Sequence, residues 1–183
     1  MQDKDLVRAC QRNDRKAQKE LYNRYKSPLM GLCLRYAASR EEAEDMYQES
    51  FIKIFKNIDS LQKAESLNSW LRQTVVRTAI NYYHRNKKYN WQEDTADLEI
   101  GNEDYNILLE SIDNDMLLSM INQLPDGYRT VFNLHVVDGY THPEIAKLLG
   151  VNESTSRTQL HKAKARLKEQ LAVLGIKKFE KYG

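Results

Sequence analysis

Three prolines and seven glycines in 183 residues are too few for long loops or for a fold of many short strands and turns. Two cysteines, Cys10 and Cys33, lie far apart, with no C-x-x-C and no histidine at ligand spacing. That pattern excludes a disulfide scaffold and a zinc finger, and it predicts buried, reduced thiols in a cytoplasmic protein. No apolar run approaches the ~20 residues that cross a bilayer. Charged residues in MQDKDLVRAC stand where a signal peptide needs its apolar core. The chain is therefore expected to stay where it is made, without inserting into a membrane. Alternating strand patterns are nearly absent too. Hydrophobic residues make up 41%, enough for packed cores, so the expected class is all-α, in one domain or two small ones.

Basic residues are missing from one long stretch. From Tyr89 to Tyr128 there are 10 acids and no Lys or Arg, whereas residues 1–88 hold 18 basic and 11 acidic side chains and residues 129–183 hold 10 and 5. Two basic blocks around an acidic middle is the layout of two polyanion-binding modules with a non-binding connector; compositional scatter is the plain alternative. Residues 91–112, with Gly101 and weak periodicity, read as the linker, and Trp91 and Ile107-Leu108-Leu109 could dock onto either domain. The two helical domains are then 1–90 and 113–177.

Helical spacing runs through the first block. Leu6, Val7 and Cys10 share one face, and Ala17, Leu21, Tyr25, Leu29, Leu32, Cys33 and Tyr36 another, with Pro28 expected to bend or interrupt that run. Ser39 and Glu42 form a capping-box pattern opening a helix from Arg40 to about Asn57, its apolar stripe being Ala43, Met46, Tyr47, Ser50, Phe51, Ile54 and Phe55. The other face begins acidic. Acids in a first turn answer the helix dipole, but Asp45, Gln48 and Glu49 lie beyond it at i, i+3 and i+4. They are either a solvated face or a grip for a basic protein surface.

After a connector, Ile58 to Glu65, a helix from about Ser66 to Arg85 turns Trp70, Leu71, Val75, Ala79, Ile80 and Tyr83 inward. Asn68, Arg72, Gln73, Arg77, Thr78, Asn81, His84 and Arg85 are expected to form its exposed face. Aromatics interleaved with Arg and Asn suit single-stranded DNA, where bases stack and cations follow phosphates. Trp70 reads as core; Tyr82 fits either role. His135, on an apolar face, reads as a core histidine with one hydrogen bond, and no histidine pair has metal-ligand spacing.

The clearest pattern spans Thr141 to Lys168. Ile145, Leu148 and Leu149 mark one helix, opened by Thr141 and Glu144 as a capping box, and Gly150 stands where the chain must leave it with positive φ. A second helix places Ser156, Leu160, Ala163, Leu167 and Leu171 on one face. From Ser154 to Lys168 it carries five Lys or Arg and no acid. This is how a helix-turn-helix presents a recognition helix to the major groove, although any helix hairpin can carry a solvated basic face.

Five motifs now stand in order: Asp45-x-x-Gln48-Glu49-x-Phe51; Trp70-Leu71 with Asn81-Tyr82; Leu124-Pro125-x-x-x-Arg129; Gly139-Tyr140-x-x-x-Glu144-Ile145-Ala146-x-x-Leu149-Gly150-Val151; and Ser154-Thr155-Ser156-x-Thr158-Gln159-Leu160-x-x-Ala163-Lys164. Together they resemble the sigma-70 family of bacterial RNA polymerase initiation factors, in its small extracytoplasmic-function (ECF) group, over nearly the whole chain. The resemblance implies region two in residues 1–90 and region four in 113–177. It implies a factor, with no catalysis or cofactor of its own, that binds core RNA polymerase, directs it to promoters and helps open the duplex. Implied partners are the polymerase β′ coiled coil and β flap, promoter DNA and, as for many relatives, an anti-sigma factor.

Carried over by position, Asp45, Gln48, Glu49 and Phe51 fall in the helix that docks on the β′ coiled coil. Leu61 and the connector after it, with Arg77 and Asn81, match the region that captures a flipped base of the −10 element, and Arg72, His84 and Arg85 extend that surface. Ser154, Thr155, Arg157, Thr158, His161 and Lys162 match the face toward the −35 element, with Lys164 and Arg166 on phosphates. The chain departs from many relatives at Ser154, Ser156 and Gln159, where they have Gly, Val and Arg. Arg77 replaces a base-contacting Asn, which leaves a phosphate as its alternative partner. Two other classes fit less well. A stand-alone helix-turn-helix regulator would leave the acidic half-face unexplained, and an enzyme would need convergent carboxylates or a Cys/His site that the sequence does not offer.

Overall fold

Side chains write the helix starts. In the computed structural model, which describes residues 2–89 and 114–175, Asp14 accepts from the amides of Lys16 (2.8 Å) and Ala17 (3.2 Å) and so opens the second helix. Ser39 Oγ accepts from the Glu42 amide at 3.2 Å to open the third. The carboxylate of Glu42 reaches past Ser39 and takes the Ala38 amide (2.6 Å), a capping box displaced by one residue. The linker expected at 91–112, with Trp91 and Ile107-Leu108-Leu109, lies outside the described residues, as does the chain beyond Gly175.

The described residues form helices and no strand. They are α1 (Asp3–Gln11), α2 (Arg15–Tyr36), α3 (Arg40–Asn57), two 3-10 turns (Ile58–Ser60 and Ala64–Ser66), α4 (Leu67–Tyr89), α5 (Asn114–Asn122), α6 (Asp126–Phe132), α7 (His142–Leu149) and α8 (Glu153–Val173). The chain divides into two compact units, Met1–Tyr82 and Tyr83–Gly183.

In the first unit α2 receives α3 and α1, and α1 also covers both 3-10 turns. Its core joins Leu6, Leu21, Leu32, Met46, Ile54, Leu67, Leu71 and Val75. Pro28 sits inside α2 without interrupting it, on an exposed position where the carbonyl one turn back can reach water. Cys10 and Cys33 are buried free thiols, and burial pushes Cys33 up to about 12, so neither is a reactive thiolate.

In the second unit, α8 packs against α5, α6 and α7 around Phe132, Leu134, Ile145, Leu149, Leu160 and Leu167. Residues 133–137 follow α6 as a widened turn, closed by the Asp138 amide on the Asn133 carbonyl (2.9 Å). The turn between α7 and α8 favours Gly150 for its left-handed backbone conformation (φ 63°) and not for space, since a Cβ there would meet nothing within 4 Å.

Candidate nucleic-acid interface

The α7–α8 pair is the first candidate surface. At the mouth of α7, the Glu144 carboxylate accepts from the Thr141 amide (2.8 Å) and hydroxyl (2.7 Å), which holds its pKa below the usual carboxylate value. Ser156, Leu160, Ala163, Leu167 and Leu171 are all buried, so the inward stripe of α8 is the one its spacing predicts. Ser154, Arg157, Thr158 and Arg166 are exposed, and Thr155, His161, Lys162 and Lys164 are half-buried. Arg157 is held by Glu153 one turn before it on the same helix. A base contact by Arg157 must therefore displace an intrahelical ion pair.

Beneath this helix lies a cluster that sequence spacing does not reveal. The His135 and His142 rings stack with centroids 4.4 Å apart and planes 14° from parallel. His135 Nδ1 donates to the Tyr140 carbonyl (2.8 Å), and His142 Nδ1 lies 2.9 Å from Ser156 Oγ. His135 is thus half-buried with the one hydrogen bond expected of it, and it has a ring partner besides. The departure at Ser156 now has a local reason: its hydroxyl meets an imidazole where valine would offer no partner. Burial, then His135 and Arg157, lower the His142 pKa.

Arg129, which the sequence marks only as part of a motif, is 3% exposed. Its guanidinium donates to the Leu124 (2.7 Å) and Asn122 (3.3 Å) carbonyls and pairs with Asp126. It is the cap of α5, not a surface cation.

On α4, Arg72, Arg77, Asn81 and Arg85 are exposed. His84 is half-buried, and within the second unit its Nε2 donates to the Leu148 carbonyl (3.1 Å). Two expectations need correction here. Thr78, read as exposed, is buried, and its Oγ1 donates to the Thr74 carbonyl (2.9 Å) and accepts from Lys53 Nζ (3.3 Å). Leu61, read as a base contact, is 6% exposed. It plugs the connector into the core, and a base would have to meet its neighbours instead.

On α3, Asp45 and Gln48 are exposed. Glu49 is partly covered and pairs with Lys53 at 2.7 Å. Phe51, carried over as a polymerase contact, is buried at 4%, its ring 4.8 Å from Tyr22 and 4.9 Å from Tyr47. It fixes α3 to α2 and cannot itself touch a docked protein. The residue the sequence reading missed is Ile52, 68% exposed. At about 100° per residue it falls between Asp45, Gln48 and Glu49, an apolar centre for the acidic half-face.

Two family models match the chain. The model for Sigma-70 region 2 matches residues 21–89, and that for Sigma-70, region 4 matches residues 114–167. The ECF RNA polymerase sigma-E factor of Haemophilus influenzae is 30% identical over 94% of this chain and 96% of its own. This chain belongs to the ECF group of the sigma-70 family. The ECF RNA polymerase sigma factor SigW of Bacillus subtilis is 28% identical over 92% of this chain and 96% of its own. Among solved structures, the sigma factor RpoE of Bartonella quintana, crystallised with the anti-sigma factor NepR, shares the fold at a TM-score of 0.51 and 20% identity. That alignment covers 85% of this chain and 96% of RpoE. As a family member the chain acts in promoter-specific transcription initiation with RNA polymerase. Among the described residues no helix is long and apolar enough to cross a membrane, and no three His, Cys, Asp or Glu residues gather at one metal site.

Proposed function

We propose that this sigma factor works from two surfaces and without catalysis of its own. Residues 1–90 act as region two: Asp45, Gln48 and Glu49, around Ile52, dock on the β′ coiled coil of core polymerase. Arg72, Arg77, Asn81 and Arg85, with the exposed connector residues, take the non-template strand of the −10 element. Residues 113–177 act as region four. Ser154, Thr155, Arg157, Thr158, His161 and Lys162 face the −35 element in the major groove, and Lys164 and Arg166 follow phosphates. A second contact of region four, on the β flap, holds it at the spacing the promoter sets. The site of action is the cytoplasm, and an anti-sigma factor is the natural regulator.

One observation carries this reading most strongly. The acidic residues of α3 beyond its first turn share a face with an exposed isoleucine, while a separate helix, α8, turns an acid-free basic face outward from Ser154 to Lys168. A protein-docking face and a nucleic-acid face on different units is what an adaptor between an enzyme and DNA requires. Extruding a base costs a few kcal/mol, so a surface that holds the flipped base drives melting as it reads the sequence.

The decisive experiment reconstitutes the chain with bacterial core polymerase and sequences the transcripts started from a random promoter library, with core alone as control. Specific starts preceded by two spaced motifs support the proposal. No complex with core, together with tight duplex binding by the chain alone, would instead make it a stand-alone regulator.

A further inference from the structure

The connector between α3 and α4 is the stretch to which the proposed reading assigns base capture, and its shape is set by few groups. Inside it the hydrogen bonds are local: Asn57 Nδ2 to the Lys53 carbonyl (2.8 Å), Ser60 Oγ to the Asn57 carbonyl (2.7 Å) and the Leu61 amide to the Ile58 carbonyl (3.1 Å). Local bonds give a turn its form, but they do not say where the turn sits on the domain. Ile58 (2% exposed) and Leu61 (6%) plug it into the core, and apolar plugs are non-directional.

Direction comes from another helix. Gln11, the last residue of α1, is half-buried, and its Nε2 donates to the Ile58 carbonyl (3.2 Å) and to the Leu61 carbonyl (3.1 Å). These partners lie 47 and 50 residues further along the chain. A side-chain amide nitrogen has two hydrogens, and here each serves one carbonyl, so the group is used to capacity as a two-pronged staple. Between and beyond the two stapled carbonyls, Asp59, Ser60, Gln62, Lys63 and Glu65 are exposed and available to a base.

We propose that Gln11 is a positioning residue for base capture: by pinning both ends of the first connector turn, it fixes the height at which the exposed residues meet a flipped base. The proposal rests on the reading that this connector captures the −10 base. It gives α1, which faces neither polymerase nor the −35 element in that reading, a part in promoter opening. A loop held about 1 Å out of place still binds nearby strand through its cations but loses the fit that distinguishes one base from another.

The test uses the full chain with core polymerase on a promoter from the reconstitution above. Gln11→Met keeps the stem and volume but removes both donors, and Gln11→Lys restores a donor on a flexible stem one atom longer. Base extrusion is read by 2-aminopurine stepped through the −10 element. Discrimination is read as open-complex yield on four promoters differing only at the flipped base. Expected for Gln11→Met is a loss of roughly tenfold in extrusion and a flattened preference among the four bases, the worth of two half-exposed hydrogen bonds. Gln11→Lys should recover most of the preference, and core affinity and −35 duplex binding should be unchanged in both, while the unfolding midpoint of Gln11→Met falls by only a few degrees, the direct cost of two lost hydrogen bonds. Unaltered extrusion and preference in Gln11→Met would overturn the proposal. So would a loss of all activities in step with a lowered midpoint, which would make Gln11 a structural tie only. If the unsubstituted chain extrudes no base at any −10 position, the base-capture reading itself fails, and the proposal falls with it.

Discussion

Replacing Arg129 with methionine should unfold region four selectively, and the size of the effect can be worked from its contacts. The guanidinium is 3% exposed, and its donation to the Leu124 carbonyl at 2.7 Å is a charged hydrogen bond to a buried acceptor. Such bonds are worth about 1.5–3 kcal/mol, and a carbonyl left without a partner bears the full cost of burial. The contact with the Asn122 carbonyl at 3.3 Å is weaker and adds under ~1 kcal/mol. The pair with Asp126 adds little, because that carboxylate keeps about a third of its exposure and can turn to water. Against these losses, methionine fills much of the same volume and no longer needs a buried charge, which returns part of the desolvation cost. The balance is a destabilisation of about 2–4 kcal/mol.

Hydrogen exchange read by peptide separates the two units. Amides of α6, such as Val131 and Phe132, should exchange between roughly thirty- and a thousandfold faster, while those of α2 and α3 stay at their original rates. Arg129→Lys should lose about half as much, since an ammonium can reach the Leu124 carbonyl but cannot span all three acceptors. A change below about 1 kcal/mol in Arg129→Met would refute the reasoning, for it would mean that the carbonyls closing α5 are served well enough by water.

Three further outcomes are expected. Asp45→Arg with Gln48→Ala should abolish core binding in a competition assay with the helical content intact; this pair is cleaner than one including Glu49, whose replacement by lysine would remove the partner of Lys53 and set a second cation one turn from it. Retained core binding would sink the docking face. Arg157→Ala should weaken −35 binding by a base-dependent amount, toward the lower end of about 1–3 kcal/mol because the side chain must first leave Glu153, whereas Lys164→Ala should weaken all sequences alike and flatten the salt dependence. Equal effects across sequences would remove the split between base and phosphate roles. The lowered pKa of His142 means that the unfolded chain takes up its proton more readily, so this contribution to region-four stability is present above pH ~6.5 and lost as the pH falls. The unfolding midpoint should drop between pH 7.5 and 5 and do so less in His142→Gln; equal slopes in the two proteins would rule out the His142 term.

What could be read from the chain and what could not divides along one physical line. Helices are local objects: capping residues, apolar spacing and Gly150 act within a few residues, and α3 runs from Arg40 to Asn57 as its box and stripe predict. The inward face of α8 was legible for the same reason. Contacts between helices were not. Nothing in the spacing of Gln11 points to carbonyls about fifty residues away, and nothing joins Lys53 to Thr78, or His142 to Ser156, until the helices are packed. Thr78 lay on a face counted as polar, and its hydroxyl becomes a buried link only because α3 brings a lysine to it. Burying that hydroxyl is tolerable because both of its hydrogen-bonding capacities are used.

The acidic motif on α3 shows why carrying roles over by position needs geometry as well. Asp45, Gln48, Glu49 and Phe51 are read together as one signature, yet the helix does not keep them together. At about 100° per residue, Gln48 and Glu49 lie some 60° and 40° to either side of Asp45, while Phe51 is turned about 120° away. The same arithmetic brings Ile52 to within about 20° of Asp45, and it is Ile52 that is 68% exposed while Phe51 is 4% exposed. The signature therefore mixes two jobs. The proposed function gives its polar members to a partner; its aromatic member packs with Tyr22 and Tyr47 and holds the helix that carries them. A substitution at Phe51 that weakens core binding would act through the packing of α3 on α2 and should lower the stability of region two in step. One at Ile52 should weaken core binding with no loss of stability, because nothing in the fold depends on a side chain that already faces water.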